Sequence, residues 1–215
     1  MKRALIIRGG WTGHEPVETT DLVAAELRNR GMECDIFDNM DCLTTPEELI
    51  EKYDVVIPAW TMGAIPDGAN SVLCKVIKAG VGLAGWHGGM GDAFRSDTDY
   101  QMMVGGQFVA HPPMLEYEVN IISDDPIVSG IGNFKIFSEL YYMHVDPSNE
   151  VLATTICTPE VLPVLSQNVC MPTIWKRKYG AGKVFYSALG HNSADFKNYP
   201  QILEIAVSGI LWAAR

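Results

Sequence analysis

The chain carries five histidines, and none sits mid-helix on an apolar stripe, where it would be buried as core. Each lies beside Gly or Pro, or just after a strand-like run. His14 is in Gly13-His14-Glu15-Pro16, His87 in Trp86-His87-Gly88, and His111 in Ala110-His111-Pro112. His144 follows Tyr141-Tyr142-Met143, and His191 is in Gly190-His191-Asn192. Imidazole titrates near neutrality, so it can take a proton, give one, or bind a metal through a ring nitrogen. Glu139, in Ser138-Glu139-Leu140-Tyr141-Tyr142, adds a carboxylate that could orient an imidazole, ligate a metal or act as a general base. At least three of the five histidines are expected to line one pocket.

The most specific local signal is Gly85-Trp86-His87-Gly88-Gly89. A small-residue strand runs into a Gly-x-His-x-Gly turn and then a helix, the pattern of a nucleophile elbow. Flanking glycines permit the tight turn, and the central side chain projects over the helix start. Backbone N–H groups there can hold a polarised carbonyl. The centre is His87 rather than Ser or Cys, so a stable acyl intermediate is not expected. Asp92 and Arg95, just beyond, read as an i,i+3 helix pair.

Trp11, Trp60 and Trp86 each follow a strand and would suit a carbohydrate platform, as would Tyr142. There is no Walker A loop, no GxGxxG fingerprint after the first strand and no HExxH helix. No cysteine stands at a strand end to pair with a histidine. Cys34, Cys42, Cys74, Cys157 and Cys170 form no CxxC pair and read as buried free thiols.

The elements that must position these residues alternate strand and helix through the first two-thirds. Ala4–Arg8, Glu33–Phe37, 54–59 and 80–85 read as strands. Pro16–Arg30, a short helix from Pro46, Ala69–Lys78 and Thr98–Val104 read as helices. This rhythm implies a mostly parallel sheet with helices on both faces, which binds ligands at the carboxyl ends of its strands. His14 and His87 both follow such strands. The last third differs, with short strands at 117–122, 135–138, 151–156, 173–176 and 184–189. A tight turn is expected at 179–183 and a closing helix over 200–214. No linker composition marks a boundary, so residues 1–215 are read as a single domain.

The chain has 215 residues, 47% hydrophobic and 20% charged, with a net charge of −10. That is an ordinary globular mix, long enough to bury a sizeable core. The acidity argues against nucleic acid and against anionic membrane surfaces. No segment reaches the ~20 apolar residues of a membrane span, and the first apolar run is too short for a signal peptide. We expect a cytoplasmic location, a small-molecule ligand, and a β-rich last third that could serve as a homo-oligomer face.

As a set, several stretches resemble the trehalose-utilisation, or ThuA-like, family. They are Gly85–Gly89, Phe94, Val104–Pro112, Ser138–Tyr141, Pro172–Tyr186, Leu189–His191 and Gly209–Ala213. The resemblance runs nearly end to end. It implies a class I glutamine amidotransferase-like fold, flavodoxin-like, with three α/β/α layers. It also implies utilisation of a trehalose-like disaccharide or keto-sugar. His87 matches the amidotransferase nucleophile position and His191 its catalytic His. The acid expected two residues later is Ser193, so glutaminase activity is not expected. Family members more often carry Asp-Glu where this chain has Ser138-Glu139.

The expectation is therefore a sugar isomerase or hydrolase with His87, His191 and Glu139 as catalytic groups. His14, Trp11, Trp60, Trp86, His111, Tyr142 and His144 are the substrate-binding candidates. If a divalent metal such as zinc is used, His87, His111, His144 and His191 are its candidate ligands. The rival expectation is a non-catalytic sugar-binding or regulatory module on an inherited enzyme fold.

Overall fold

The computed structural model describes residues 1–215. Strand β1 (Arg3–Gly10) is buried on both faces from Ala4 to Ile7, as a central parallel strand must be. Helix α1 (Pro16–Asn29) follows, with Pro16 in its first turn and Gly31 beyond its end at φ +81°. Then come β2 (Glu33–Phe37), α2 (Pro46–Lys52), β3 (Val55–Thr61), α3 (Ala69–Lys78) and β4 (Gly82–Trp86). Two short helices, α4 (His87–Gly91) and α5 (Thr98–Val104), lead into β5 (Gly106–Ala110) and β6 (Leu115–Ile121). The remainder is β7 (Phe134–Ser138), β8 (Tyr142–Val145), β9 (Glu150–Cys157), β10 (Val169–Tyr179), β11 (Gly182–Ser187), α6 (Ser193–Asn198) and α7 (Pro200–Ala213).

Nine strands form one sheet in the order β2-β1-β3-β4-β11-β10-β9-β6-β7. The first five run parallel, and β10, β9, β6 and β7 extend the sheet antiparallel. The chain steps outward from β1 to β2, then back past β1 to β3. The topological switch, where ligands collect in such sheets, therefore lies between β1 and β3. The sheet and its helices share a core of 59 buried apolar residues. No helix is long and apolar enough to cross a membrane.

The antiparallel extension does not stay flat. β6 meets β9 through only two residue pairs, Asn120–Thr154 and Ile121–Ala153. Its other half, Leu115 to Val119, pairs with β7 alone. Five strand spacings from β4 would place the end of β7 about 24 Å away in a flat sheet. Instead the residue after β7, Glu139, touches the residue after β4, His87. The β6–β7 ribbon thus turns back over the carboxyl edge. Two contacts pin it there, Ser138 Oγ donating to Asp195 Oδ2 (2.6 Å) and Phe137 N–H to Tyr199 Oη (3.0 Å), while within the ribbon Tyr117 Oη–H donates to the Glu139 carbonyl (3.0 Å).

Most expected elements lie within two residues of their observed bounds. Two strands were not expected. β5 and β8 pair antiparallel as a separate ribbon. β10 runs far beyond 173–176 in both directions. All five cysteines are free, but only Cys74 and Cys157 are buried; Cys170 is exposed on β10, a correction to the expectation of five buried thiols.

Candidate functional site

Residues after β1, β4, β7 and β11 meet at the carboxyl edge of the parallel sheet. His14 ends a single helical turn, Thr12–His14, between β1 and α1. Its Nδ1 is 2.8 Å from Oγ1 of Thr61, the last residue of β3. That contact spans the switch point. Thr61 has no strong sequence signature, and its role emerges only from the fold.

His87 occupies the elbow expected of it. Its φ is +44°, a left-handed value that few non-glycine residues adopt. The strained turn aims the imidazole inward, where it is only 1% exposed. Its Nδ1 lies 2.8 Å from the Ala188 carbonyl and its Nε2 lies 3.1 Å from Glu139 Oε2. Tyr141 stacks on the ring at 3.9 Å, and Tyr186 Oη–H donates to the His87 carbonyl (3.1 Å). Gly88 is required beside it, because a Cβ there would lie 2.3 Å from Cε1 of His14 and 2.9 Å from Oη of Tyr141. Gly88→Ala is expected to expel the His14 ring and cost about 1–3 kcal/mol through overpacking. A thermal melt would check this, and an unshifted transition would show that His14 has other room.

His191, after β11, completes the group. Its Nδ1 is 3.3 Å from Glu139 Oε2 and 3.4 Å from His87 Nε2. Its backbone N–H donates to Asp195 Oδ2 (3.0 Å), the same oxygen that receives the Ser138 hydroxyl. So the acid beside the His191 ring is not residue 193. Glu139 supplies it from the far end of the sheet, while the Ser193 N–H donates to Glu15 Oε2. Asp195 was not anticipated; the only sequence hint was an acid four residues after His191.

The other candidates divide. His111 stands at the rim, with Nε2 3.7 Å from Glu139 Oε1 and Nδ1–H donated to the Pro112 carbonyl (2.7 Å). Trp11 is 46% exposed, edge-on to His14 at 4.8 Å. Trp86 is enclosed against Phe196, and Trp60 leans over Gly9, so neither offers the open platform expected of it. Tyr142 lies on β8 opposite Ala110; its neighbour Tyr141 is the one that reaches His87. His144 does not join the group, because β8 alternates and buries Met143 while turning His144 outward beside Gln107. Arg95 grips the buried Asp92 through Nε (2.5 Å) and Nη2 (2.7 Å) at the expected i,i+3 spacing, but both residues lie beyond the end of α4 rather than on a helix.

The charges sort by environment. Burial pushes the His87 imidazole down to about 4, despite the Glu139 carboxylate beside it, so it is neutral at pH 7. Burial would raise Glu139, but the imidazoles of His14, His191 and His87 outweigh it and hold the carboxyl far below the usual range. Burial alone would lower His191, but the bond to Glu139 and the charges of Glu139, Asp195 and Glu15 raise it. At neutral pH the centre therefore contains a carboxylate, a neutral imidazole and an imidazole that keeps its proton readily. One group is poised to accept a proton and another to give one. Ring nitrogens and a carboxylate at these separations could equally hold a metal ion.

The chain matches the ThuA family model, described as trehalose utilisation, over residues 3–213. No curated protein matches. A ThuA-like protein from Parabacteroides merdae superposes with a TM-score of 0.79 at 17% identity, covering 99% of this chain and 89% of that one. A ThuA-like protein from Bacteroides uniformis gives 0.76 at 18% identity, covering 99% and 91%. A β-galactosidase from Bacillus circulans sp. alkalophilus gives 0.61 at 13% identity, covering 98% of this chain but 31% of that enzyme. At these identities the likeness concerns the fold.

Proposed function

The chain belongs to the ThuA, trehalose-utilisation family, and from that premise we propose that its buried centre performs proton-transfer or metal-assisted chemistry on a trehalose-like disaccharide or its keto form. One observation carries this reading. A single ionised carboxylate, Glu139, is ringed by imidazoles of unequal proton affinity at the switch point of the sheet. Beside a sugar carbonyl, carbon must lose a proton while the carbonyl oxygen gains one. Isomerisation begins with that transfer, and so does cleavage of a glycosidic bond β to the carbonyl. His87, whose Nδ1–H is committed to Ala188, presents Nε2 as the acceptor. His191 is the donor, and Glu139 holds it in place. In this reading His111 and Trp11, at the rim, meet the rest of the sugar.

A covalent acyl route is not part of this proposal, because the elbow carries no Ser or Cys. The test is to mix the protein with 3-keto-trehalose, and separately with trehalose, and follow each by NMR. The expected result is turnover of the keto-sugar, lost in His191→Ala. If a sugar shifts the melting temperature but is never consumed, the protein is a binding or regulatory module and the enzyme reading falls.

A further inference from the structure

Within the centre, the count of donors and acceptors does not close. The Ala188 carbonyl can only accept, so His87 carries its proton on Nδ1 and turns a lone pair outward at Nε2. That lone pair faces Glu139 Oε2 at 3.1 Å, and a carboxylate oxygen is also an acceptor. His191 Nδ1 lies against both, at 3.4 Å and 3.3 Å, and brings at most one proton to the pair. Two acceptors this close repel unless something positive lies between them.

We propose that His14, His87, Glu139 and His191 are the ligands of a resident divalent transition-metal ion, with zinc the best match, at the same centre the sugar reading uses. The geometry supports this independently of any sugar. In a tetrahedral site with bonds of about 2.0–2.1 Å, neighbouring ligand atoms lie about 3.3–3.4 Å apart. The triangle of His87 Nε2, Glu139 Oε2 and His191 Nδ1 has edges of 3.1, 3.3 and 3.4 Å. His14 Nε2 stands 3.8 Å from the same carboxylate oxygen, and one ligand atom from each of the four residues falls within a 4.8 Å span.

The groups behind the ligands fit the same assignment. A ligating imidazole usually donates its other ring N–H to a fixed partner. His87 has the Ala188 carbonyl and His14 has Thr61 Oγ1, while His191 is held through its backbone N–H by Asp195. Three imidazoles and one carboxylate, with no thiolate, favour zinc and its neighbours over calcium or magnesium, which take oxygen ligands. The ligand set differs from the one expected from sequence. His14 and Glu139 enter it; His111 and His144 leave it. With an ion bound, His87 and His191 would be ligands rather than proton carriers; the ion would polarise the sugar carbonyl, and His111, the imidazole left outside the ligand set at the rim, would take the proton from carbon. Zinc can accept a fifth ligand for that purpose.

The test uses the full chain, stripped by chelator, dialysed, and titrated with zinc alone by calorimetry. Cobalt substitution followed by visible absorption reads the coordination. The expected result is one ion per chain, with strong cobalt bands of tetrahedral type. Affinity should fall at least about tenfold in His14→Ala and in Glu139→Gln. His144→Ala should bind as the parent does. His87 is too deeply buried to serve as the deciding variant. No uptake by a chain that still melts cooperatively would mean that only a shared proton sits between the acceptors, and would overturn the proposal. Equal weakening by His144→Ala and His14→Ala would also overturn it. The two readings separate cleanly. Zinc bound with no keto-sugar consumed sinks the sugar chemistry alone, and turnover by a chain that takes up no zinc sinks the ion alone.

Discussion

Glu139→Gln is expected to cut turnover of the keto-disaccharide by about 10²–10⁴-fold and to lower the melting temperature, because the charge paired with the surrounding imidazoles is lost. Glutamine keeps the size and shape of the side chain but carries no charge. Four imidazoles converge on the Glu139 carboxylate: His87 at 3.1 Å, His191 at 3.3 Å, His111 at 3.7 Å and His14 at 3.8 Å. Removing the charge takes away what holds the His191 proton, so the imidazole should also titrate lower. NMR titration of the histidine rings reads this without any substrate. If His191 titrates as before and turnover stays within tenfold, Glu139 is not the organising charge.

The second large effect is on stability in mild acid. Burial moves the His87 pKa from 6.5 to about 4, so in the metal-free chain charging this imidazole within the fold costs about 3 kcal/mol. The sign follows from the proton count. Between pH 6.5 and 4 the unfolded chain holds a proton on His87 and the folded chain does not. Stability from this group is therefore lost as pH falls through that window. Glu139, held low, loses its contribution only below the ordinary glutamate value of 4.5. His191, held high, contributes below 6.5 and loses that as pH rises further. Asp195, raised by burial, acts in the opposite sense to His87 as pH falls towards the ordinary aspartate value. The difference between the parent and a His87→Asn variant isolates the first term, since Asn tolerates a positive φ. Urea midpoints at pH 7 and pH 5 should fall more steeply for the parent. Parallel losses in the two chains would show that His87 is already charged in the folded state.

The parallel half of the fold was legible because its signals are local. Val55 to Trp60 is an apolar run of strand length, and Ala69–Lys78 repeats at helical spacing, so both elements are found at or near their expected bounds. The elbow was legible because glycine spacing encodes a backbone shape, and the positive φ of His87 is that shape. What stayed hidden depends on distant pairing. β8 has only four residues and is stabilised by β5, more than thirty residues earlier in the chain. The same limit applied to the site. Placing His14, His87 and His191 at one sheet edge needs only the order of the strands. Excluding His144 needs the alternation of a strand that sequence did not reveal. Knowing that Glu139 answers His191 needs the fold-back of the β6–β7 ribbon, and Ser138 met by Asp195 becomes visible only after that.

That fold-back has a consequence for how the molecule fails. Three of the four converging groups ride on the parallel core. The fourth arrives on an arm at the end of the sheet, joined by two residue pairs, by Thr155 Oγ1 donating to the Glu118 carbonyl, by the Ser138 and Phe137 contacts, and by Val119 and Ile136 in the shared core. Local opening at an edge segment costs less free energy than global unfolding. The centre is thus an assembled junction, intact only while the arm is docked. On heating, chemistry should cease before the core melts, and inactivation will register the undocking of one hairpin well ahead of the loss of the fold.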